Sequence, residues 1–288
     1  MSKHTSKMAA MNYPIDAKFI SLIDDFKIIS QMQIYHLMIG RFKAFHTETR
    51  GQFEDYCMAH PLLGSLNSER EDFTVFENRS KALHDHWVDF VWLYQVLKDY
   101  RSRHVLFAFL NNWYYYDMNS LNAVRESLYP AYFDMEVIRC GSDEVYVDVG
   151  ASVAASVNKY MSTYGKYKHI YCYELSPENM KSSGEKLIKY KNVSLLDTGG
   201  MKIDDDISEP ATFIKINSDG LEQQTLLGCG GQIKNNKPKL AIAVHNNNEN
   251  IWKIPRMIDE ICPGYGFYLR YHGKAFCPTS LILLAVCQ

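Results

Sequence analysis

Two acidic residues at the ends of consecutive apolar runs carry most of the chemistry legible in this chain. In Glu144-Val-Tyr-Val-Asp148-Val-Gly150-Ala151-Ser152, a β-rich run ends in an acid, a glycine turn follows, and a helical pattern begins at Val153. Glycine lets the backbone turn tightly and approach a ligand closely, and the helix beyond it offers unpaired N–H groups. Ligands of open α/β sheets bind where the strands end. There Asp148 draws an ammonium or sulfonium cation, whereas a pyrophosphate disfavours a neighbouring carboxylate. The segment therefore points to S-adenosylmethionine rather than a nicotinamide dinucleotide, with a purely structural turn as the plainer alternative. In Ile170-Tyr-Cys-Tyr-Glu174-Leu-Ser176-Pro177, the next run ends in Glu174, 24 residues after Gly150. A carboxylate so placed accepts hydrogen bonds from both hydroxyls of a ribose. Ser176 and Pro177 form a helix start, an N-cap followed by proline in the first turn.

These residues need a scaffold, and the texture of the chain supplies one after Gly141. Strands are expected at 145–149, 170–174, 193–196, 212–216, 240–244, 266–271 and 280–286. Helices are expected between them at 153–164, 177–190, 221–227 and 254–261. Repeated βαβ units imply a mostly parallel sheet with right-handed crossovers. The last two strands are joined by too few residues for a parallel crossover, so they pair antiparallel. The fold class is thus α/β: a Rossmann-like seven-stranded sheet with a terminal antiparallel hairpin, the class I methyltransferase pattern. Residues 1–140 read as a helical N-terminal region and 141–288 as the Rossmann-like domain. In the former, helices are expected at 15–45, where apolar residues recur every three or four positions, and at 80–100, 103–112 and 119–128. The stretch 47–78 reads as loops with short helical pieces.

Composition excludes other classes. Over 288 residues, 47% are hydrophobic and 22% charged, which is globular rather than disordered. The net charge of −2 disfavours a nucleic-acid partner. No apolar run reaches the roughly 20 residues of a membrane-spanning helix, so no integral membrane segment is expected. Seven cysteines, scattered and without a C-x-x-C pair, indicate neither a disulfide framework nor a zinc ribbon. No metal site is expected. A cytoplasmic protein with reduced thiols fits this usage.

Six segments in order carry a family resemblance. They are Val147-Asp-Val-Gly-Ala151, Tyr173-Glu-Leu-Ser-Pro-Glu-Asn179, Phe213-Ile-Lys-Ile-Asn-Ser-Asp-Gly-Leu-Glu222, Lys237-Pro-Lys-Leu-Ala-Ile-Ala-Val244, Ile251-Trp-Lys-Ile-Pro255 and Pro263-Gly-Tyr-Gly-Phe-Tyr-Leu-Arg270. Together they resemble the FkbM family of methyltransferases, with this chain as a divergent member. The resemblance implies S-adenosylmethionine as methyl donor and O-methylation of a hydroxyl on a sugar, glycan or secondary metabolite, so the expected partner is a small-molecule or glycan acceptor. It implies a cofactor site at Asp148, Gly150, Ala151, Glu174, Asp197 and Asn217, with Thr198 beside Asp197.

The departures from the family define an alternative. Ala154 stands where the family has glycine. The family's K-I-D-x-E-G-A-E reads Lys215-Ile-Asn217-Ser-Asp219-Gly-Leu-Glu222, so an amide replaces a carboxylate at the end of the fourth strand and cannot act as a base. Asp219, Glu222 and His245 remain as candidate catalytic bases. The link between the third and fourth strands, 198–211, is shorter than in the family and leaves little room for a helix; Met201–Asp206 reads as a solvated acidic turn. These features suit a catalytically degenerate scaffold that binds a ligand or protein partner without turnover. Asn246–Asn248 and Asn250 read sugar hydroxyls or form an ordinary turn.

Overall fold

The apolar pattern that opens the chain folds as two helices rather than one, α1 (Pro14–Ile28) and α2 (Gln31–Lys43). Ser30 divides them: its hydroxyl accepts from the Gln33 amide while the Gln33 side chain accepts from the Ser30 amide. This reciprocal capping box starts a new helix although the apolar spacing continues across it. The computed structural model describes residues 13–150, 152–197, 201–273 and 278–287. The first of two compact units holds residues up to Val124 together with Ala275–Pro278. Its further helices are α3 (Thr47–Ala59), α4 (Thr74–Asp85), α5 (Trp87–Val96), α6 (Tyr100–Tyr115) and α7 (Met118–Ala123). The stretch 47–78, expected as loops with short helical pieces, therefore opens with the regular helix α3 and runs into the start of α4, and the expected helix over 80–100 is interrupted at His86. The core of this unit is aromatic: Phe42, Phe53, Phe76 and Tyr116 are buried, with ring centroids 5.2 to 6.5 Å apart in tilted and edge-on pairs.

The second unit comprises Arg125–Lys274 and Thr279–Gln288. It begins before residue 140 because the 125–140 segment belongs to its core. Phe133 and Ile138 are fully buried there, and Asp134 pairs with buried Arg270 at 2.6 Å. The elements run β1 (Val145–Gly150), α8 (Val153–Thr163), β2 (His169–Glu174), α9 (Pro177–Leu187), β3 (Val193–Leu196), α10 (Ile203–Asp206), β4 (Phe213–Asn217), α11 (Glu222–Gly228), α12 (Gly230–Asn236), β5 (Lys239–Ala243), α13 (Asn250–Ile261), β6 (Tyr265–Tyr271) and β7 (Leu281–Cys287). The strand order is β3-β2-β1-β4-β5-β7-β6, parallel except for β7. Every residue of β1 is buried, as a central parallel strand covered on both faces requires. Tyr146 stacks between Phe213 of β4 (4.9 Å) and Tyr160 of α8 (4.7 Å), and Phe133 meets it edge-on. Ala154 belongs to this cluster and is buried, so the residue that replaces the family glycine packs into the core.

The short link between β3 and β4 is docked rather than a solvated acidic turn. It contains α10, and Ile203 and Ile207 are buried. Asp204 accepts from the Gly231 and Gln232 amides at 2.6 and 2.8 Å, at the start of α12. Gln232 in turn accepts from the Ala211 amide and donates to the Ile207 and Glu209 carbonyls. Glu209 fastens the end of the link to β2: it pairs with Lys168 at 2.8 Å and accepts from Tyr171 and His169 at 2.9 Å. The Lys168 ammonium and the Tyr171 hydroxyl, with His169, hold the Glu209 carboxyl down to about 2. A depressed folded-state pKa contributes stability that is present above the ordinary carboxylate value and is lost as pH falls through about 2. Glu209→Gln is therefore expected to lose part of the steep acid sensitivity between about pH 4.5 and 2; denaturant midpoints measured across that window check it.

Among the described residues no helix is long and apolar enough to cross a membrane.

Candidate active site at the carboxyl ends of the strands

Strand order reverses at β1, whose neighbours are β2 on one side and β4 on the other. In open α/β sheets a crevice forms at such a point, outside the carboxyl ends of the strands. The parallel register sets Gly150 directly between Glu174 and Asn217. A Cβ on Gly150 would lie 2.8 Å from the Asn217 carbonyl oxygen and 3.1 Å from Lys215 Nζ, so the sheet itself demands glycine here. Gly150→Ala is expected to push the ends of β1 and β4 apart, cost about 1–3 kcal/mol and displace Asn217. Thermal unfolding together with cofactor titration reads both effects.

Two residues before Gly150 and Asn217, the register also pairs Asp148 with Lys215. The two side chains form a buried ion pair, with Lys215 Nζ 2.8 Å from Asp148 Oδ1. The other oxygen, Asp148 Oδ2, is buried and has no hydrogen-bond partner among the described residues. The Tyr132 ring covers the ammonium, its centroid 5.2 Å from Nζ. Tyr132 is half-buried and holds a left-handed backbone, φ +72°, a conformation that costs a non-glycine residue about 1–2 kcal/mol. Burial, then the charges of Glu222, Asp148 and Asp219, push its phenol well above the ordinary range. The hydroxyl therefore stays protonated.

The loops after β4 and β5 meet on Glu222. Its fully buried carboxylate accepts from the Ser218 and Gly220 amides at 3.0 and 3.2 Å, from Asn246 Nδ2 at 2.5 Å and from Asn250 Nδ2 at 2.8 Å. Asn246 Nδ2 also lies 3.3 Å from Asn217 Oδ1. Asp219 occupies the turn between, exposed and at φ +49°, followed by Gly220 at φ +103°. His245 is half-buried after β5, its Nδ1 3.2 Å from the Leu281 carbonyl. A carbonyl accepts only, so this contact puts a proton on Nδ1 and makes Nε2 the basic nitrogen of the neutral ring.

No family model matches the chain, and no curated protein matches it in sequence. Among solved structures, the chain is similar to the methyltransferase FkbM from Methylobacillus flagellatus, with a TM-score of 0.68 and 24% identity over 82% of this chain and 70% of that one. The fold is that of a class I methyltransferase. An rRNA methylase from Streptococcus thermophilus matches more distantly, with a TM-score of 0.44 and 14% identity over 57% of this chain and 100% of that one. Precorrin-6y C5,15-methyltransferase from Geobacter metallireducens gives 0.41 and 17% over 53% and 84%.

On this methyltransferase fold, Asp148, Gly150, Glu174, Asn217, Asp219 and His245 belong to the carboxyl-terminal parts of strands or to the loops that follow them, and Glu222 opens α11. Glu174 is buried, and each of its oxygens accepts one bond, from the Ser176 amide at 3.1 Å and the Ser183 hydroxyl at 2.9 Å. Asp197 is exposed just beyond β3. Ala151 and Thr198 lie outside the described residues. Two of these residues already have partners in the fold. One oxygen of Asp148 is paired with Lys215, and the carboxylate of Glu222 accepts four hydrogen bonds that tie two loops to it. Sequence reasoning missed Lys215 and Tyr132 as site residues, and it placed Asn246 in a polar loop without its bonds to Asn217 and Glu222. A signal existed for Lys215: a lysine inside the apolar run Phe213-Ile-Lys-Ile demands a buried acid, and Asp148 occupies the matching place in β1. Nothing local marks Tyr132.

Proposed function

We propose that this chain is a divergent FkbM-type methyltransferase that transfers a methyl group from S-adenosylmethionine to a hydroxyl of a small-molecule or glycan acceptor. The observation that carries the reading is Asp148 Oδ2, a buried acceptor without a donor among the described residues, beside the Gly150 turn. A buried acceptor left unpaired costs about 1–3 kcal/mol, and the ammonium of the donor's amino-acid end would satisfy it. Glu174 supports the same reading, because a carboxylate has about four lone-pair sites and two are used internally. The ribose hydroxyls fit the remainder. The six sequence motifs and the shared fold add to this.

S-adenosylmethionine, when bound, supplies an electrophilic methyl on a good leaving group, so the protein's task is chiefly alignment. Tyr132, whose phenol stays protonated, would donate to the acceptor, and the Asn217–Asn246 pair ties the loops after β4 and β5 together. The acceptor's proton passes to the Asp219 carboxylate or to His245 Nε2. A cytoplasmic setting suits the unpaired Cys57, Cys140, Cys172, Cys229, Cys262 and Cys287.

A second reading, binding without turnover, is favoured by one observation: the acid retained from the family motif, Glu222, is consumed by the loops, and Asn217 carries no charge. Incubation with methyl-labelled donor and a panel of sugars, polyols and hydroxylated metabolites decides between them. Label on any hydroxyl, reduced at least tenfold by Asp219→Asn combined with His245→Gln, supports transfer. Donor binding without label on any acceptor supports the second reading.

A further inference from the structure

The helical unit contains a buried charge without a hydrogen-bond partner among its described residues. Arg79, on the inner face of α4, is 1% exposed, and none of its three guanidinium nitrogens has a hydrogen-bond partner among the described residues. Arginine cannot shed its proton in a protein, so the cost of burial is not relieved by neutralisation. Two aromatic rings flank the group, Trp113 with its centroid 5.6 Å from Cζ and Phe53 at 5.8 Å. Their faces offset part of the charge but leave five donors unanswered.

The nearby polar groups are committed elsewhere. The Tyr116 hydroxyl donates to the Met38 carbonyl. Glu54, which like Arg79 acts electrostatically on Cys57, accepts from the Ser68 amide and hydroxyl. Burial pushes the Cys57 thiol up to about 11 in spite of Arg79, so no thiolate forms to serve as counter-ion at neutral pH. Arg41, the other cation acting on Tyr116, donates to the Tyr114 carbonyl at 2.5 Å.

We propose that Arg79 is the centre of an enclosed anion site in the helical unit that takes a carboxylate. One cation matches one negative charge. The planar fork of the guanidinium matches a carboxylate through two parallel hydrogen bonds, and the flanking Phe53 and Trp113 rings suit the apolar remainder of a small carboxylic acid. The site is independent of the methyl-transfer reading.

The test uses the full chain exchanged into buffer free of carboxylates, titrated with sodium formate and sodium acetate, with sodium chloride and sodium phosphate at matched ionic strength as controls. The expected result is a saturable rise in melting temperature of about 5 °C with the carboxylates and none with the controls. Arg79→Met, which removes a lone buried charge, is expected to melt at or above wild type without carboxylate and to lose the response. Arg79→Lys keeps the charge but loses the fork, and its apparent affinity for acetate should fall at least tenfold. The wild-type titration is decisive without either variant. No carboxylate response, or an equal one with chloride or phosphate, overturns the proposal. So does an Arg79→Met protein that melts below wild type in carboxylate-free buffer and still responds to acetate.

Discussion

Lys215→Met is expected to lower the melting temperature by about 10 °C. The reason is the dielectric surroundings of its partner. Asp148 is fully buried in the central strand of the sheet, and the ammonium of Lys215 is bonded to it. Removing one member of a buried ion pair costs about 3–5 kcal/mol, because the other charge is left uncompensated, and in a protein of this size each kcal/mol is worth roughly 2–4 °C. Replacing both members should be far milder than replacing one, since two desolvation costs vanish with the attraction. Lys215→Met with Asp148→Leu is therefore expected to recover most of the loss while abolishing cofactor binding. Thermal unfolding followed by circular dichroism separates the cases. A single variant as stable as wild type would mean that the pair is not the buried, mutually dependent unit described above.

Glu222→Ala is expected to produce the second large effect, about 4 kcal/mol of lost stability centred on the loops after β4 and β5. Four donors, Ser218 N, Gly220 N, Asn246 Nδ2 and Asn250 Nδ2, would lose their acceptor at once, and each buried unsatisfied group costs about 1–3 kcal/mol before the loops relax. Glu222→Gln should retain about half. The new amide oxygen can still serve the two backbone amides, but its nitrogen would face the nitrogen of Asn250. Asn250 cannot simply turn over, because its oxygen accepts from Gln223 Nε2 at 2.9 Å. Hydrogen exchange reads the change locally: the Ser218 and Gly220 amides should exchange at least a hundredfold faster in Glu222→Ala, while the amides of β2 change little. Unchanged protection of those two amides would remove Glu222 from its place as the organiser of the mouth.

The sheet was largely legible in the sequence because each strand is written locally. Val193–Leu196 is observed over the residues expected, and the other strands shift by one residue at most at either end. The parallel order followed from the alternation of strands and helices, and the antiparallel β7 from the shortness of the turn before it. Helix boundaries were less legible where local signals compete. The apolar spacing runs through Ser30, and only the capping box with Gln33 divides α1 from α2. The start of α12 hides behind Gly230 and Gly231, poor helix formers whose place is fixed by Asp204, a residue far back in the chain. The early start of α13 comes from Asn247, whose side chain accepts from the Glu249 and Asn250 amides.

The site was legible as a set of strand ends but not as a network. Asp148 and Glu174 announce themselves by following apolar runs. Their availability does not, because it depends on partners brought in by the sheet. Lys215 reaches Asp148 across 67 residues, and Asn250 reaches Glu222 across 28. No periodicity of 2 or 3.6 encodes such a distance. Tyr132 belongs to a segment without regular structure, and only the fold carries its ring over Lys215.

The most direct test of the central claim is calorimetric titration of the full chain with S-adenosylmethionine and, separately, with S-adenosylhomocysteine. Saturable binding of both at one site per chain, weakened at least tenfold in Glu174→Ala and lost in Asp148→Asn, is the predicted result. No heat with either compound, from protein shown by circular dichroism to be folded, would contradict it.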